Sequence, residues 1–382
     1  MRRACFSLAI ALVFAAAAHA QIGKSIAVPA GSPEDKALSE IYAATDPAQK
    51  IALLDKFMAD YGKGEMALLA CQLYVGAYQA QKDYAKVFEY GDKVLALDPD
   101  NFSTVGLLVR AAQEKGDTAK LFDYGERAAA ILKRYKDAPP PEGVAASDWQ
   151  QQQATALRNV AEDVNYVEYA MFTAAYQTQA PAAKAALLER FAAAFPDSPY
   201  ATNALETAAF AYQQAQNYPK MLDTAQKLVA ADPNNFTMLV LLADYWSERG
   251  QAADLEKAEA SAKKALDLLA QAKRPENVPG DQWQQQVNLE KGLAYSALGQ
   301  VYVVRGRNAS AVDAFKQANP LLKSNPTTYA RNLYRLGFTL AKMQHMDEAR
   351  VVLTEAVSIN SPYRALAQQT LDKIRGSART RR

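Results

Sequence analysis

The chain is poor in the side chains that most often carry enzyme chemistry. It has two histidines and two cysteines in 382 residues, and beyond the first twenty residues only Cys71 and His345 remain. A histidine-based triad, a His/Cys metal site and an internal disulfide therefore cannot be assembled there. The zincin, nucleophile-elbow, phosphate-loop and dinucleotide motifs are also missing. These absences disfavour an enzyme and a bound cofactor, and leave a site built from carboxylates as the enzymatic alternative.

The chain also lacks an apolar run long enough to span a bilayer comfortably. Its most apolar stretch is at the start, where Arg2 and Arg3 precede apolar residues 8–18 and the sequence Ala-His-Ala at 18–20. This order is typical of a signal peptide, which we predict over 1–20, with a membrane anchor as the alternative. The pattern predicts export from a bacterial cell, to the periplasm or the medium. Cys5 does not follow the cleavage site, so no lipid attachment is expected.

Neither sign of charge is in excess, with 43 basic and 41 acidic residues. Removing Arg2 and Arg3 with the leader makes the two totals equal. A neutral chain is not expected to bind nucleic acid or anionic lipid broadly. The exception is the basic tail over 376–382, which we expect to be disordered. A basic arm that contacts lipid headgroups or an acidic partner is the alternative.

What the chain does contain is a repeat at an offset of 134 residues. The sequence Asp-Pro-x-Asn-Phe at 98–102 returns at 232–236, and Trp-Gln-Gln-Gln at 149–152 returns at 283–286. Such internal duplication indicates a stacked array that presents a surface. We predict a loose mature N-terminus over 21–31, a first block over 32–164, a second block over 165–306 and C-terminal hairpins over 307–375.

The apolar periodicity predicts eighteen amphipathic helices. Among them are 147–163 at the end of the first block, 165–178 and one long helix over 281–305 in the second, and a last helix over 362–375. Asparagine stands where a helix begins at Asn101, Asn235 and Asn308, each also in a glycosylation sequon, and N-capping explains all three. Prolines and glycines mark most of the breaks between helices.

Two consecutive units near the C-terminus resemble the tetratricopeptide repeat (TPR) family. The small and large positions of its signature recur in register, and they are Tyr295, Leu298, Gly299, Tyr302, Ala311, Phe315 and Ala318, then Leu333, Leu336, Gly337, Leu340, Ala349, Leu353, Ala356 and Pro362. The resemblance implies an all-α fold, a right-handed superhelical solenoid of antiparallel helix hairpins. It also implies a groove that binds peptides or proteins and is lined by the first helix of each hairpin.

A weaker resemblance concerns residues 187–233, and its motifs lie between Leu187 and Ala201. It is similar to TPR lipoproteins of bacterial outer-membrane assembly and to periplasmic coordinators of envelope constriction. This resemblance implies an adaptor for outer-membrane protein assembly or for cell-wall machinery.

The TPR resemblance also implies which residues line the groove. Carried over to this chain, the partner-binding positions are polar or amphipathic, namely Asn203, Glu206, Gln213, Gln214, Gln300, Arg331, Tyr334 and Lys342. Their mix of amide, acid and base favours hydrogen-bonded recognition of a peptide. The sequence thus predicts a non-enzymatic protein-binding scaffold of the bacterial envelope, and a purely structural spacer is a further alternative.

Four other residues invite a functional interpretation but have a structural one. Cys71 stands among apolar helix residues and is expected to be packed. His345 is in a turn, where a solvated or capping role is expected. Trp149 and Trp283 could be binding anchors, but each ring is expected to fold over the start of its own helix and cover the loop before it.

Overall fold

The protein is built from α-helices alone within the residues that the structure describes. The computed structural model describes residues 22–379, with side chains through Ile374, and this range contains eighteen helices and no strand. The predicted signal peptide and the end of the predicted basic tail lie outside the described residues. Two compact units divide between Ala211 and Tyr212. We describe each unit by itself.

The N-terminal unit contains α1 to α9 and most of α10. Consecutive helices pack as hairpins in the pairs α1/α2, α3/α4, α5/α6 and α8/α9. The helices are α1 Pro33–Ala43, α2 Pro47–Tyr61, α3 Glu65–Gln81, α4 Tyr84–Leu97, α5 Phe102–Lys115, α6 Thr118–Asp137, α7 Ala146–Asn159, α8 Ala161–Gln177, α9 Pro181–Ala194 and α10 Ala201–Gln214.

The C-terminal unit repeats the same plan with the hairpins α12/α13, α14/α15 and α16/α17. None of the helices within 22–379 is both long and apolar enough to span a membrane. The helices are α11 Tyr218–Ala231, α12 Phe236–Arg249, α13 Ala252–Gln271, α14 Gly280–Val304, α15 Asn308–Leu322, α16 Pro326–Lys342, α17 Met346–Ser358 and α18 Arg364–Arg379, which continues past the predicted end at 375.

Local side-chain chemistry explains where the duplicated helices begin and end. The side chains of Asn101 and Asn235 accept hydrogen bonds from the backbone N–H groups of Thr104 and Met238, which satisfies a donor at each helix start. The predicted N-caps are confirmed at these two positions. Asn308 differs, since it is the first residue of α15 and its side chain makes no cap. There the carbonyl end, Oδ1, is buried without a hydrogen-bond partner.

A break between two helices lies inside the stretch 147–163, which the sequence predicts as one helix. We predicted helices over 147–163 and 165–178, but α7 ends at Asn159 and α8 begins at Ala161. The linking residue, Val160, has φ −99° and ψ 2°, outside the helical region. The equivalent stretch of the second block is one continuous helix, α14, as predicted.

The start of the described chain also differs from the expectation of a loose segment. Ile22 is 2% exposed, so its side chain is packed against the N-terminal unit. The backbone N–H of Lys24 donates to the Asp98 carboxylate at 2.9 Å, and its ammonium donates to the carbonyl of Leu97 at 2.8 Å. The turn between α4 and α5 therefore holds this segment in place.

Glycines on first helices let the hairpins of the C-terminal unit close tightly. A Cβ on Gly299 of α14 would lie 2.4 Å from the Phe315 ring of α15. A Cβ on Gly337 of α16 would lie 2.6 Å from the Leu353 side chain of α17. The large side chain of one helix thus fills the space that the glycine of its partner leaves, as the TPR resemblance implies.

Trp149 confirms the structural interpretation made from the sequence. Its ring is 8% exposed, and its indole N–H donates at 2.9 Å to the carbonyl of Ala138, in the loop before α7. Trp283 packs edge-on against Phe236, with 6.4 Å between ring centroids. His345 is half exposed in a turn, 3.1 Å from Glu348, as expected for a solvated residue.

Cys71 is packed in the core of the N-terminal unit, and this gives a direct test. It is 4% exposed, and burial raises the pKa of its thiol, against the opposing charge of Lys93. In a chain without the leader we expect almost no reaction with an aromatic disulfide reagent under native conditions at neutral pH. One thiol per chain is expected to react after unfolding in urea. Rapid native reaction would contradict this packing.

Candidate functional site

The polar groups of the C-terminal unit converge on the first helices of its three hairpins. Helix α14 contacts α12 on one side and α16 on the other. Even so, the side chain of Arg331 on α16 reaches Asp244 on α12. A side chain can bridge the two outer helices only where the surface curves inward over α14. We therefore take this face as the groove side of the unit.

Arg331 and Asp244 form a buried, two-pronged ion pair. The guanidinium Nη1 and Nη2 donate to the two carboxylate oxygens at 3.0 and 2.8 Å. Both side chains are nearly enclosed, at 12% and 13% exposure. Burial disfavours the charged form of Arg331, but the charge of Asp244 and its hydrogen bonds outweigh this effect and raise the arginine pKa. This geometry fixes α16 relative to α12.

A second arginine lies one helical turn further along α16. The guanidinium of Arg335 pairs with Glu248, one turn beyond Asp244 on α12. Its Nη1 also lies 3.5 Å from the hydroxyl of the buried Ser296 on α14. Burial lowers the pKa of Arg335, against the opposing charge of Asp244. Glu248 is 44% exposed, so the carboxylate that compensates Arg335 remains open to solvent.

Beside Arg335 the surface forms a cleft of about 250 Å³, which we call the arginine cleft. Its rim is aromatic. Tyr334 stacks on Tyr363 with 6.4 Å between ring centroids, and Phe338 lies 6.2 Å from Tyr334 and is 45% exposed. The lining residues are Glu248, Gln300, Val303, Tyr334, Arg335, Phe338, Thr339 and Tyr363.

The structure brings together part of the predicted partner-binding set. Gln300 and Tyr334 line the arginine cleft. Arg331 is one turn from Arg335 but spends both terminal nitrogens on Asp244. Lys342 is exposed at the last residue of α16.

The remaining predicted residues are on α10 and do not line the arginine cleft. Asn203 is exposed and Glu206 is half-buried in the N-terminal unit. Gln213 is half-buried and Gln214 is exposed just after the division between the units. These four residues stay predictions.

Sequence reasoning missed Arg335, Glu248, Phe338 and Tyr363. A signal for the first two was present, because Arg331 and Arg335 on one helix and Asp244 and Glu248 on another are spaced i, i+4. Such pairs share a helix face. The sequence could not show that the two faces meet, since the paired residues are 87 positions apart.

The duplicated block carries different chemistry at the matching positions. Arg110 of α5 stands where α12 has Asp244, and Tyr166 of α8 stands where α14 has Gln300. In the N-terminal unit the Arg110 guanidinium lies 4.5 Å from the centroid of the Tyr166 ring. Glu114, the counterpart of Glu248, accepts hydrogen bonds from Gln79 at 2.9 Å and Tyr84 at 3.1 Å. The arginine cleft is therefore a property of the second block and the unduplicated hairpins.

The N-terminal unit has a larger cavity, of about 700 Å³, between α6, α8 and α9. Some of its charged groups are already paired. Arg190 bonds Glu126 at 2.7 and 3.0 Å, and the Ser198 hydroxyl donates to Glu168 at 2.7 Å. This cavity is lined mainly by α6, by α9 and by the turn after α9.

The described residues give little support to catalysis. Within 22–379, no three His, Cys, Asp or Glu side chains are grouped to hold a metal ion. The two carboxylates nearest the arginine cleft, Asp244 and Glu248, are each engaged by an arginine. Neither is left as an unpaired general acid or base.

Residues 330–363 match the tetratricopeptide repeat family. They comprise α16 from Ala330 onward, α17 and the turn to Tyr363. Five of the eight residues that line the arginine cleft fall inside this one repeat, namely Tyr334, Arg335, Phe338, Thr339 and Tyr363. No curated protein sequence matches the chain.

Solved structures of helical proteins are similar to this chain at low identity. The "APC/C hetero-tetramer Cut9-Hcn1" structure shares 15% identity over 90% of this chain with a TM-score of 0.41, and the alignment spans only 64% of that chain. NprR "in complex with its cognate peptide NprX" shares 13% over 89% of this chain and 80% of its own, at 0.31. Yeast Tom70 shares 12% over 91% of this chain and 95% of its own, at 0.28.

Proposed function

We propose that this protein is a non-enzymatic scaffold of the bacterial cell envelope that binds an extended segment of another protein at the arginine cleft. The observation that carries the proposal is the composition of the arginine cleft. Tyr334, Phe338 and Tyr363 form an open aromatic rim, and Arg335 beside them is held in place by Glu248. Protein-binding surfaces favour this composition, because aromatic and arginine side chains dominate interface hot spots.

Each part of the arginine cleft has a distinct role in this binding. Tyr334, Phe338 and Tyr363 offer apolar area to a side chain of the ligand. Gln300 offers a hydrogen-bond donor and acceptor to its backbone. Arg331 and Asp244 hold α16 and α12 together before any ligand arrives, and a preformed site lowers the ordering cost of binding.

The location in the envelope rests on the leader-like sequence over 1–20. The scaffold serves an assembly in outer-membrane biogenesis or at the cell wall. Identification of its ligand distinguishes these two roles. Fractionation of the source bacterium tests the location, with the mature chain expected in the osmotic-shock fraction. Recovery of the uncleaved chain with the cytosol would contradict it.

Binding is tested by selecting peptides from a random display library on the leaderless protein. We expect the selected peptides to bind about 30-fold more weakly to Tyr334→Ala and to Phe338→Ala, since loss of a central aromatic contact costs about 2 kcal/mol. The measurement is fluorescence anisotropy of a labelled peptide.

The matched control is Val351→Ala, because Val351 is 70% exposed on α17 of the same hairpin. It should bind as the wild type does. Circular dichroism checks that all variants are folded. Equal affinity of wild type, Tyr334→Ala and Phe338→Ala would place the ligand elsewhere. Failure to select any peptide would count against the scaffold function itself.

A further inference from the structure

The chain covers one of its two duplicated turns with its own N-terminal segment. We call residues 98–101 the first turn and residues 232–235 the second turn. At the first turn the Asp98 carboxylate accepts hydrogen bonds from the backbone N–H of Lys24 and from the Asn101 amide, both at 2.9 Å. Ile22, two residues earlier, is buried at 2% exposure.

The glycine in this segment is required by the contact. Gly23 has φ +110°, a conformation that side-chain-bearing residues rarely adopt. A Cβ at this position would lie 2.9 Å from the Asp98 carboxylate and 3.1 Å from the Cα of Asn101. The first turn therefore recognises three consecutive residues. They are an apolar residue, a glycine, and a basic residue whose backbone N–H donates to the aspartate.

The second turn has the same backbone. Asp98 has φ −139° and ψ 87°, and Asp232 has φ −126° and ψ 96°. Asn101 has φ −71° and ψ 86°, and Asn235 has φ −67° and ψ 86°. In both turns the asparagine N–H donates to the carbonyl of the aspartate, at 3.2 and 3.1 Å. The backbone conformation that holds the N-terminal segment at the first turn is thus repeated at the second turn.

The aspartates of the two turns differ in exposure. Asp98 is 3% exposed, whereas Asp232 is exposed to solvent. One oxygen of Asp232 accepts from the backbone N–H of Asn234 at 2.9 Å, and its other oxygen accepts no hydrogen bond within residues 22–379.

The tryptophan beside each turn shows the same contrast. At the first turn the indole N–H of Trp149 donates to Ala138. The half-buried Trp283 at the second turn has no hydrogen-bond partner for its indole N–H within the described part of the chain. A carboxylate oxygen and an indole N–H are therefore both open at the second turn.

We propose that the second turn, with Trp283, binds an extended apolar–Gly–Lys or apolar–Gly–Arg segment of another protein. The chain's own segment of this pattern is already engaged at the first turn, so the occupant comes from a separate molecule. The glycine of the ligand passes over Asp232, and the backbone N–H of the residue after it donates to the Asp232 carboxylate. The apolar side chain before the glycine packs on Trp283.

One replacement between the copies sharpens the expected ligand. The Asp100–Arg134 ion pair beside the first turn is replaced by Asn234 and Leu268 beside the second. The second turn is therefore less charged and favours a larger apolar residue before the glycine. This inference stands apart from the arginine cleft, since the two sites share no residue.

The test uses an acetylated, labelled peptide with the sequence of residues 22–31, titrated into the leaderless protein by isothermal calorimetry. We expect one peptide per wild-type chain and two per chain that lacks residues 22–31. The double change Asp232→Ala with Trp283→Ala should remove one peptide from each count. Asp267→Ala, at an exposed position on α13, is the control and should change neither. A peptide with alanine at the Gly23 position should bind at least ~10-fold more weakly.

A count of one for the deleted chain and none for the wild type would overturn the proposal, because only the first turn would then bind. No binding to either chain would also overturn it, because the turn alone would not hold such a segment. A wild-type dimer in sedimentation that dissociates when residues 22–31 are deleted would make a second copy the occupant, and would contradict the assignment to another protein.

Discussion

Asp244→Ala is expected to lower the free energy of unfolding of the C-terminal unit by about 3–5 kcal/mol, because it leaves the enclosed Arg331 guanidinium without its counter-charge. Glu248 lies 3.7 Å from Arg331 but is already paired with Arg335, so it cannot neutralise both arginines. The measurement is urea unfolding of the leaderless chain, followed by circular dichroism and tryptophan fluorescence.

The double variant Asp244→Leu with Arg331→Met is the matched control. It removes both charges and keeps apolar volume between the helices. Proteins in which a buried ion pair is replaced in this way often lose little stability. We expect its free energy of unfolding to be within about 1 kcal/mol of the wild-type value. A single variant no less stable than the double variant would show that the ion pair does not hold α12 and α16 together.

Phe315→Ala is expected to destabilise the same unit by about 3–5 kcal/mol through loss of buried area and creation of a cavity. The ring is fully buried and fills the space over Gly299. The α15 backbone carbonyl at this residue also accepts a hydrogen bond from the buried Asn332 of α16 at 2.9 Å. The ring therefore lies at the junction of α14, α15 and α16.

Val351→Ala again serves as the control, since surface substitutions usually change stability by less than about 0.5 kcal/mol. Thermal unfolding of both variants gives the comparison. Equal melting temperatures for Phe315→Ala and Val351→Ala would contradict the packing of the α14/α15 hairpin.

Much of the helix plan could be predicted from the sequence because its breaks have local causes. Gly116 and Gly250 end α5 and α12 in the left-handed conformation, with φ of 73° and 68°. Asn101 and Asn235 cap the helices that follow. Each of these signals acts within a few residues, so it is visible without knowledge of the fold.

The break between α7 and α8 shows where local signals fail. The broken stretch has no glycine or proline near Val160. The continuous helix α14, by contrast, contains Gly292 near the matching position. Local propensity would predict the opposite. A Cβ on Gly292 would lie 2.7 Å from the Leu322 side chain, so close packing of α15 on α14 requires this glycine. Tertiary contact, which the sequence alone does not show, overrides propensity here.

The candidate site was only partly predictable for the same reason. The TPR resemblance indicates which face of α16 lines a groove, and two of the positions that it implies, Tyr334 and Gln300, line the same cleft. It does not show that Arg331 is paired within the protein. That pairing depends on a contact between helices 87 residues apart, and it gives Arg331 a structural partner within the chain.

The central claim is that the arginine cleft is where a partner binds. It is tested most directly by placing a photoreactive phenylalanine analogue at Phe338, and separately at Val351, in the organism that produces the protein, and irradiating intact cells. We predict a discrete crosslinked adduct from position 338 and none from position 351, although both side chains are exposed on the same repeat. No adduct from position 338, or the same adduct from both positions, would contradict the claim.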